Sequence, residues 1–195
     1  MLTIKQRGFT LPEILLALSL GSLIMLSAAQ LYPLLRTQSQ NSAQYFRLEQ
    51  LFSQVAFGIE KDLRRAGFCA GECQGKAISI GNYAGEMAQS CLNVSYDLNR
   101  NGRWDGGGQQ EGESFGYRLR AGALEIQSGE HSCQGQGDRW EKLFDPQEVT
   151  LTQFRLQRLH ARPGAMLYQL QLAGYWTKRP LIRQKISRLI MGRNQ

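Results

Sequence analysis

The feature that most constrains the fold is an apolar segment near the N-terminus. It runs from Ile14 to Leu35 without a charged residue, follows a leader that contains Lys5 and Arg7, and has one acidic residue, Glu13, at its edge. About 20 apolar residues are enough for a helix to cross the hydrocarbon core of a bilayer. A carboxylate next to such a segment is costly unless it is paired, so Glu13 indicates a functional position.

Three structures are compatible with this segment. A core helix of a soluble domain is disfavoured, because the segment is long and lacks polar residues at helical spacing. A cleaved signal peptide fits the order of basic, apolar and small residues, with a cleavage site at SAAQ (27–30), but it leaves Glu13 unexplained. A transmembrane helix is the third structure. With Lys5 and Arg7 before it, the positive-inside rule places the N-terminus in the cytoplasm and the rest of the chain outside.

The sequence RGFTLPE, which ends at Glu13, resembles the processing site of type IV prepilins and type II secretion pseudopilins. The basic leader, Gly8, Phe9, Glu13 and the apolar segment all fall at the spacing of that family; Pro12 departs from it, since the family mostly has an aliphatic residue there. The resemblance implies that a prepilin peptidase cuts between Gly8 and Phe9 and that Phe9 is N-methylated. Glu13 would then pair with the Phe9 ammonium group of a neighbouring subunit during assembly.

The chain beyond Leu35 predicts an amphipathic helix that leads into a globular domain. Apolar residues recur at steps of three and four from Leu48 to Ala66, and Gly67 is expected to end the helix. The predicted divisions are a leader (1–8), a transmembrane and filament-core helix (9–35), an amphipathic helix (36–66) and a β-rich periplasmic domain (67–195).

Short β-rich stretches separated by Gly and Asn follow the helix. Arg120-Ala121-Gly122 predicts a hairpin turn, and the alternation from Val149 to Leu159 slips near Thr152, which predicts a β-bulge. Isoleucines at 182, 186 and 190 predict a closing strand. A long N-terminal helix followed by antiparallel strands predicts an α+β fold, with the helix packed on an antiparallel sheet. The pilin fold that the resemblance implies is the same.

Four cysteines, Cys69, Cys73, Cys91 and Cys133, lie in the part predicted to be periplasmic. An even number of cysteines in an oxidising compartment indicates two disulfide bonds, for which three pairings exist. Cys69 and Cys73 would close a small loop, CAGEC, so we expect the pairs Cys69–Cys73 and Cys91–Cys133. A zinc site of four thiolates is the alternative, which the irregular spacing and the compartment disfavour.

The segment YDLNRNGRWDGGGQQEGE matches the start of a calcium-binding loop. The candidate metal ligands are Asp97, Asn99, Asn101 and Asp105, together with the Arg103 carbonyl. Gly108 stands where such loops place a bidentate glutamate, so Glu111 or Glu113 would have to replace it. The alternative is an Asn-Gly turn between two strands that needs no cofactor, and we favour it.

Charge is distributed unevenly along the chain. The 16 acidic residues all lie at or before Glu148, whereas nine basic residues and no acid follow it, within a net charge of +7. This asymmetry suggests an anionic partner, either DNA, another anionic surface or acidic sister pilins; a soluble basic rim is the alternative. The candidate residues for nucleic-acid binding are Arg155, Arg158, Lys178, Arg179, Arg183 and Lys185, with Tyr175 and Trp176 able to stack on bases.

The stretches KDLRRAGFC, YDLNRNGRWD, FGYRLR and CQGQGDRWEKL narrow the resemblance to minor pilins of the PilW and GspJ type, among the prepilin peptidase-dependent proteins. That resemblance implies a subunit that primes or caps a type IV pilus, with other minor pilins and the major pilin as partners. It would be inserted in the inner membrane and then reach the pilus or cell surface. A GspJ-like pseudopilin of a type II secretion system is the alternative.

Enzymatic activity is not predicted. His131 and His160 are isolated in the sequence, and no Ser/His/Asp order or phosphate-binding loop is present. The protein is expected to be the substrate of an enzyme, the prepilin peptidase.

Overall fold

A computed structural model describes residues 8–105, 112–129, 132–135, 140–159 and 166–194. The chain forms two compact units that divide between Gln44 and Tyr45. The described residues form one helix, α1 (Leu11–Arg65), and two antiparallel sheets. The first sheet has the order β1-β2-β3-β4-β5, with β1 (Ile78–Gly81), β2 (Cys91–Ser95), β3 (Ser114–Arg120), β4 (Ala123–Ser128) and β5 (Glu141–Lys142). The second has the order β6-β7-β8, with β6 (Val149–Leu159), β7 (Leu167–Trp176) and β8 (Arg179–Met191).

The first unit contains the apolar part of α1. Its large side chains are exposed; Leu15, Leu18 and Ile24, for example, have exposed fractions of 59%, 65% and 70%. By length and composition this part of the helix is able to cross a membrane. A helix that is apolar on every side is stable only where lipid or other apolar helices surround it.

The second unit contains the end of α1, which packs against the sheets through one face. Leu48, Phe52, Ile59 and Leu63 are fully buried and recur at helical spacing, as the sequence predicted. Phe52 contacts Phe144, with 5.7 Å between their ring centroids. The helix ends at Arg65, and Gly67 follows with a φ of +85°, the left-handed conformation that commonly terminates helices.

The hairpin between β3 and β4 confirms the predicted turn. Ala121 and Gly122 have φ values of 47° and 76°, the positive values that a tight hairpin turn with right-handed twist requires. In the second sheet the register between β6 and β7 shifts between Leu151 and Gln153, which confirms the bulge at Thr152. The predicted closing strand is β8.

The strands form two sheets, whereas the sequence analysis described one. The backbone N–H groups of Leu151 and Leu156 in β6 donate to the carbonyl oxygens of Gly122 and Gln89, in turns of the first sheet, at 2.8 and 2.9 Å. Side chains of both sheets then share one core with α1. Packing therefore joins the sheets, although no ladder of strand pairs continues from one to the other among the described residues.

All four cysteines form disulfide bonds. They join Cys69 to Cys73 and Cys91 to Cys133, with Cα–Cα distances of 5.9 and 6.0 Å, which is the pairing expected from the sequence. Such bonds stabilise a fold mainly by restricting the unfolded chain. Sulfurs in disulfide bonds are not thiolates, so the four-cysteine zinc site is incompatible with this structure.

A carboxylate of α1 lies within the core. Asp62 is 8% exposed and accepts hydrogen bonds from the hydroxyl groups of Tyr117 and Tyr96, at 2.5 and 3.1 Å. Burial raises the pKa of Asp62, although the two hydroxyl donors act to lower it. Burial and the Asp62 charge also raise the pKa of Tyr96 to about 12, so the hydroxyl remains a donor.

Substitution of Asp62 by Asn should remove one source of pH dependence from the stability. Because the pKa of Asp62 is raised in the folded chain, the folded form binds an extra proton between its unfolded and folded pKa values. The associated stability is fully present below the unfolded pKa and is lost as the pH rises through the folded pKa. We therefore expect the melting temperature of Asp62→Asn, relative to wild type, to rise as the pH increases above about 4, the ordinary pKa of an aspartate.

The measurement is thermal unfolding of the full-length protein in detergent across that range. Glu49→Gln, at an exposed position on the same helix, is the matched control and should show a constant difference from wild type. If the melting temperature of Asp62→Asn also differed from that of wild type by a constant amount at every pH, the raised pKa of Asp62 would be contradicted.

Candidate functional site

The start of α1 is capped by hydrogen bonds between Thr10 and Glu13. The Glu13 Oε2 atom accepts hydrogen bonds from the backbone N–H and the hydroxyl of Thr10, at 2.9 and 2.8 Å. The Thr10 carbonyl accepts the first helical hydrogen bond, from Ile14, at 3.2 Å. Thr10 is thus the N-cap and Glu13 the third helical residue, the spacing of a Thr-x-x-Glu capping box. Both residues of this motif are readable in TLPE, although no cap was predicted there from the sequence.

The helix consequently starts at Leu11, two residues later than the start at Phe9 that the sequence predicted. Pro12 is then the second helical residue, where its missing N–H has no intrahelical partner to lose. Gly8 and Phe9 precede the helix and are exposed, Phe9 with an exposed fraction of 85%. The peptide bond between them therefore lies outside the helix, in the open backbone that a peptidase requires.

Glu13 carries its carboxylate at the N-terminal end of the apolar helix. Both hydrogen bonds from Thr10 go to Oε2, so among the described residues Oε1 is open to an additional donor. An ammonium group held in the same plane of a membrane is a partner of opposite charge, and pairing removes the cost of two isolated charges in lipid.

The calcium-loop candidates come together in the connection between β2 and β3, which also contains Glu113. Asp97, Asp105 and Glu113 are 2%, 9% and 0% exposed. Glu113 Oε1 accepts hydrogen bonds from the N–H groups of Leu98 and Asn99, at 2.6 and 3.0 Å, and Oε2 accepts from Asp105 N–H at 3.0 Å. The carboxylate that follows the Asn-Gly turn is thus an internal acceptor for the loop backbone.

The other candidate ligands bond to each other or to nearby backbone. Asp97 accepts from the N–H groups of Ala70 and Gly102, at 2.9 and 3.0 Å, and the side-chain amides of Asn99 and Asn101 donate to Asp105 Oδ2, at 3.2 and 2.6 Å. Burial acts to raise the pKa of Asp97, but the backbone donors outweigh it and hold the pKa below its ordinary value. The oxygens could hold calcium only by exchanging these donors for the ion. Gly108 and Glu111 lie outside the described residues.

The basic candidates divide between the two faces of the second sheet. In the strand register, Arg183 pairs with Tyr175, Lys185 lies in the next row of paired residues on the same face, and Arg155 lies in the row after that. We call this the outer face, because the other face of the sheet carries the buried residues of β7. Arg158 lies in a row of the opposite face, with its guanidinium carbon 5.8 Å from the centre of the Tyr168 ring. The structure therefore separates Arg158 from the group that the sequence analysis assembled.

The remaining candidates lie at the connection between β7 and β8. Lys178 is exposed in the turn, and Arg179 begins β8, paired in register with Trp176. Both residues therefore lie at the end of the sheet and not among the paired residues of the outer face. His131 and His160 lie outside the described residues.

Comparison with known proteins agrees with the site at the start of α1. A family model described as "Prepilin peptidase-dependent protein B" matches residues 41–192, and one described as "Prokaryotic N-terminal methylation motif" matches residues 4–29. Prepilin peptidase-dependent protein B of Escherichia coli (strain K12) is 34% identical over 155 residues, which are 80% of this chain and 79% of that protein. No solved structure matches the chain significantly.

An apolar helix behind a methylation motif, joined to a disulfide-containing β domain, defines a pilin-like protein that depends on prepilin peptidase. Within that class, the chain belongs to the family of prepilin peptidase-dependent protein B. The family is not one of known enzymes.

Substitution of Glu113 by Gln should destabilise the loop whether or not calcium is present. Three backbone N–H groups donate to the Glu113 carboxylate, and a neutral amide is a weaker acceptor that also adds donors. We expect the free energy of unfolding to fall by about 1.5–3 kcal/mol, the usual contribution of a hydrogen bond to a charged group. Glu72→Gln, at an exposed position, is the control and should be neutral.

The same thermal unfolding experiment tests calcium binding. Since the loop oxygens already have donors, we expect the melting temperature of the full-length protein in detergent to be the same with calcium as with a chelator. A calcium-dependent rise that Asp105→Asn abolishes would show a metal site and would contradict the cofactor-free turn.

Proposed function

We propose that this protein is a minor pilin that primes or caps assembly of a type IV pilus after prepilin peptidase removes residues 1–8. The observation that carries the proposal is the arrangement at the start of α1. An exposed Gly8–Phe9 bond precedes a capped apolar helix, and the Glu13 carboxylate bonds to Thr10, the residue after the new N-terminus that cleavage would create. Membership of a prepilin peptidase-dependent family supports the processing step.

Cleavage converts the Phe9 nitrogen into an ammonium group at the membrane end of the helix. An unpaired charge there is expensive, and the carboxylate of Glu13 in an adjacent subunit neutralises it. Each helix then offers one cation and one anion, so a subunit that stacks on another satisfies both. The pairing favours helices that are in register and so couples departure from the membrane to assembly.

The proposed topology follows from the same helix. Lys5 and Arg7 of the leader would keep the N-terminus in the cytoplasm, and the unit that begins at Tyr45 would lie in the periplasm. Its two disulfide bonds support an oxidising compartment. The periplasmic unit would contact other minor pilins and the major pilin. A role as a GspJ-like pseudopilin in type II secretion uses the same motif, and no contact in the described residues favours it over the pilus.

Substitution of Glu13 by Gln should leave processing intact and impair assembly. Gln keeps the length and an acceptor for Thr10 but not the charge. In cells that contain the complete pilus system, we expect at least about tenfold less of the variant in sheared filaments, since one tenfold step corresponds to about 1.4 kcal/mol of pairing free energy. Mass spectrometry of the N-terminus reports cleavage and methylation separately.

Glu49→Gln, on the exposed part of the same helix, is the matched control and should assemble like wild type. Equal recovery of Glu13→Gln and wild type in filaments would refute the charge pairing. Recovery of wild type only from type II secretion pseudopili would show that the protein is a pseudopilin and would contradict the proposed role in a type IV pilus.

A second function, binding of DNA or another polyanion, is favoured by the outer face of the second sheet. Arg155, Arg183 and Lys185 lie in adjacent rows there with the aromatic ring of Tyr175, and β6, β7 and β8 contain no carboxylate side chain. Cations beside an aromatic ring are the usual elements of a surface for single-stranded nucleic acid.

Replacement of both Arg183 and Lys185 by Gln should weaken binding of single-stranded DNA by the detergent-solubilised protein. We expect about a tenfold loss in an electrophoretic shift assay at low salt and a shallower salt dependence, because two phosphate contacts are removed. Arg64→Gln, on α1 and away from this face, is the control. Wild-type affinity in the double variant would eliminate this surface as a DNA site.

A further inference from the structure

The strand β1 has an open edge. Among the described residues it pairs only with β2, and the Ala77 carbonyl accepts a hydrogen bond from Ser95 N–H at 2.9 Å. Since backbone groups in an antiparallel strand alternate between its two sides, the N–H and C=O groups of Ile78 and Ile80 point away from β2. An unpaired row of this kind is a template for one additional strand.

A groove lies along this edge. Its volume is about 520 Å³, and the consecutive residues 76–80 line one side while Arg158 and Met166 line the other. The N–H of Leu156 in β6 donates to the Gln89 carbonyl oxygen and therefore points away from β7. Because backbone groups point to the same side of a strand at every second residue, the N–H of Arg158 also points away from β7. The groove therefore lies between backbone edges that both have hydrogen-bonding capacity.

Apart from Ser79, the side chains that line the groove are basic or apolar. Lys76 and Arg158 are exposed cations, and Arg158 is oriented by its contact with the Tyr168 ring. Ile78 is 8% exposed and Met166 is 37% exposed. None of the described residues that line the groove is acidic. An extended ligand with alternating acidic and apolar side chains matches this pattern, because side chains of a strand alternate in direction.

We propose that the groove beside β1 binds an extended acidic segment of a partner protein, which adds a strand to the first sheet by pairing with Ile78 and Ile80. Backbone hydrogen bonds provide the affinity, and the two cations select the sequence. A second β1 strand is not the matching occupant, because ISIG contains no acidic residue and the residue two positions before it is the cation Lys76. The groove is distinct from Glu13 and from the outer face of the second sheet.

The test uses three synthetic peptides of about eight residues and the full-length protein in detergent. The first alternates glutamate and valine, the second alternates lysine and valine, and the third repeats the first with alternate backbone nitrogens methylated. We expect only the first to bind in fluorescence anisotropy, with at least about tenfold loss for each of the others, because charge complementarity and backbone pairing are both required. Equal binding of the methylated peptide would overturn the proposal.

Variants of the protein locate the site. Combined Lys76→Glu and Arg158→Glu substitution should weaken binding of the glutamate peptide by at least about tenfold and allow the lysine peptide to bind. The matched control reverses two exposed cations away from the groove and from the outer face, Lys61→Glu with Lys142→Glu, and should leave both affinities unchanged. Loss of binding in the control variant, with none in the groove variant, would overturn the assignment. Neither outcome depends on Glu13 or on filament assembly.

Discussion

Apolar side chains on every side of the first part of α1 create the constraint on which the molecule depends. Transfer of one exposed leucine or isoleucine from water to an apolar environment is worth about 1.5–3 kcal/mol, and this segment has many. The segment must therefore lie in lipid or among other apolar helices. Both environments exclude water, so they make an ionised Glu13 costly and its pairing valuable. Membrane insertion and assembly are thus alternative ways to cover one surface.

In the second unit, the end of the same helix is amphipathic and buries its apolar face within the protein. From Leu48 onward, α1 is apolar along one face only, and the two sheets cover that face. Asp62 is the exception within this face, because its carboxylate is buried between two tyrosine hydroxyl groups. Gly67 then reverses the chain direction, and its N–H donates to the Ser95 carbonyl, which ties the helix end to β2. Gly67 therefore both ends the helix and connects it to a strand that is distant in sequence.

The connection between β2 and β3 shows how one set of side chains is compatible with two interpretations of a motif. Oxygens at alternating positions suit a metal ion, but they suit backbone N–H groups as well. In the structure Asp97 and Glu113 accept hydrogen bonds from six backbone N–H groups between them, those of Ala70, Leu98, Asn99, Asn101, Gly102 and Asp105. A spacing rule detects the oxygens and does not reveal which donors reach them.

The sequence by itself determined the features that local chemistry controls. RGFTLPE and the apolar segment defined the processing motif, Gly67 ended the helix, and the phase slip at Thr152 marked the bulge, because each depends on neighbours a few residues away. Only the tertiary structure decided that the strands form two sheets, that Arg158 faces away from Arg155, and that β1 leaves its edge open beside Met166. Those properties depend on which distant strands pair and in which register. A register shift of one residue moves every side chain of a strand to the opposite face of the sheet.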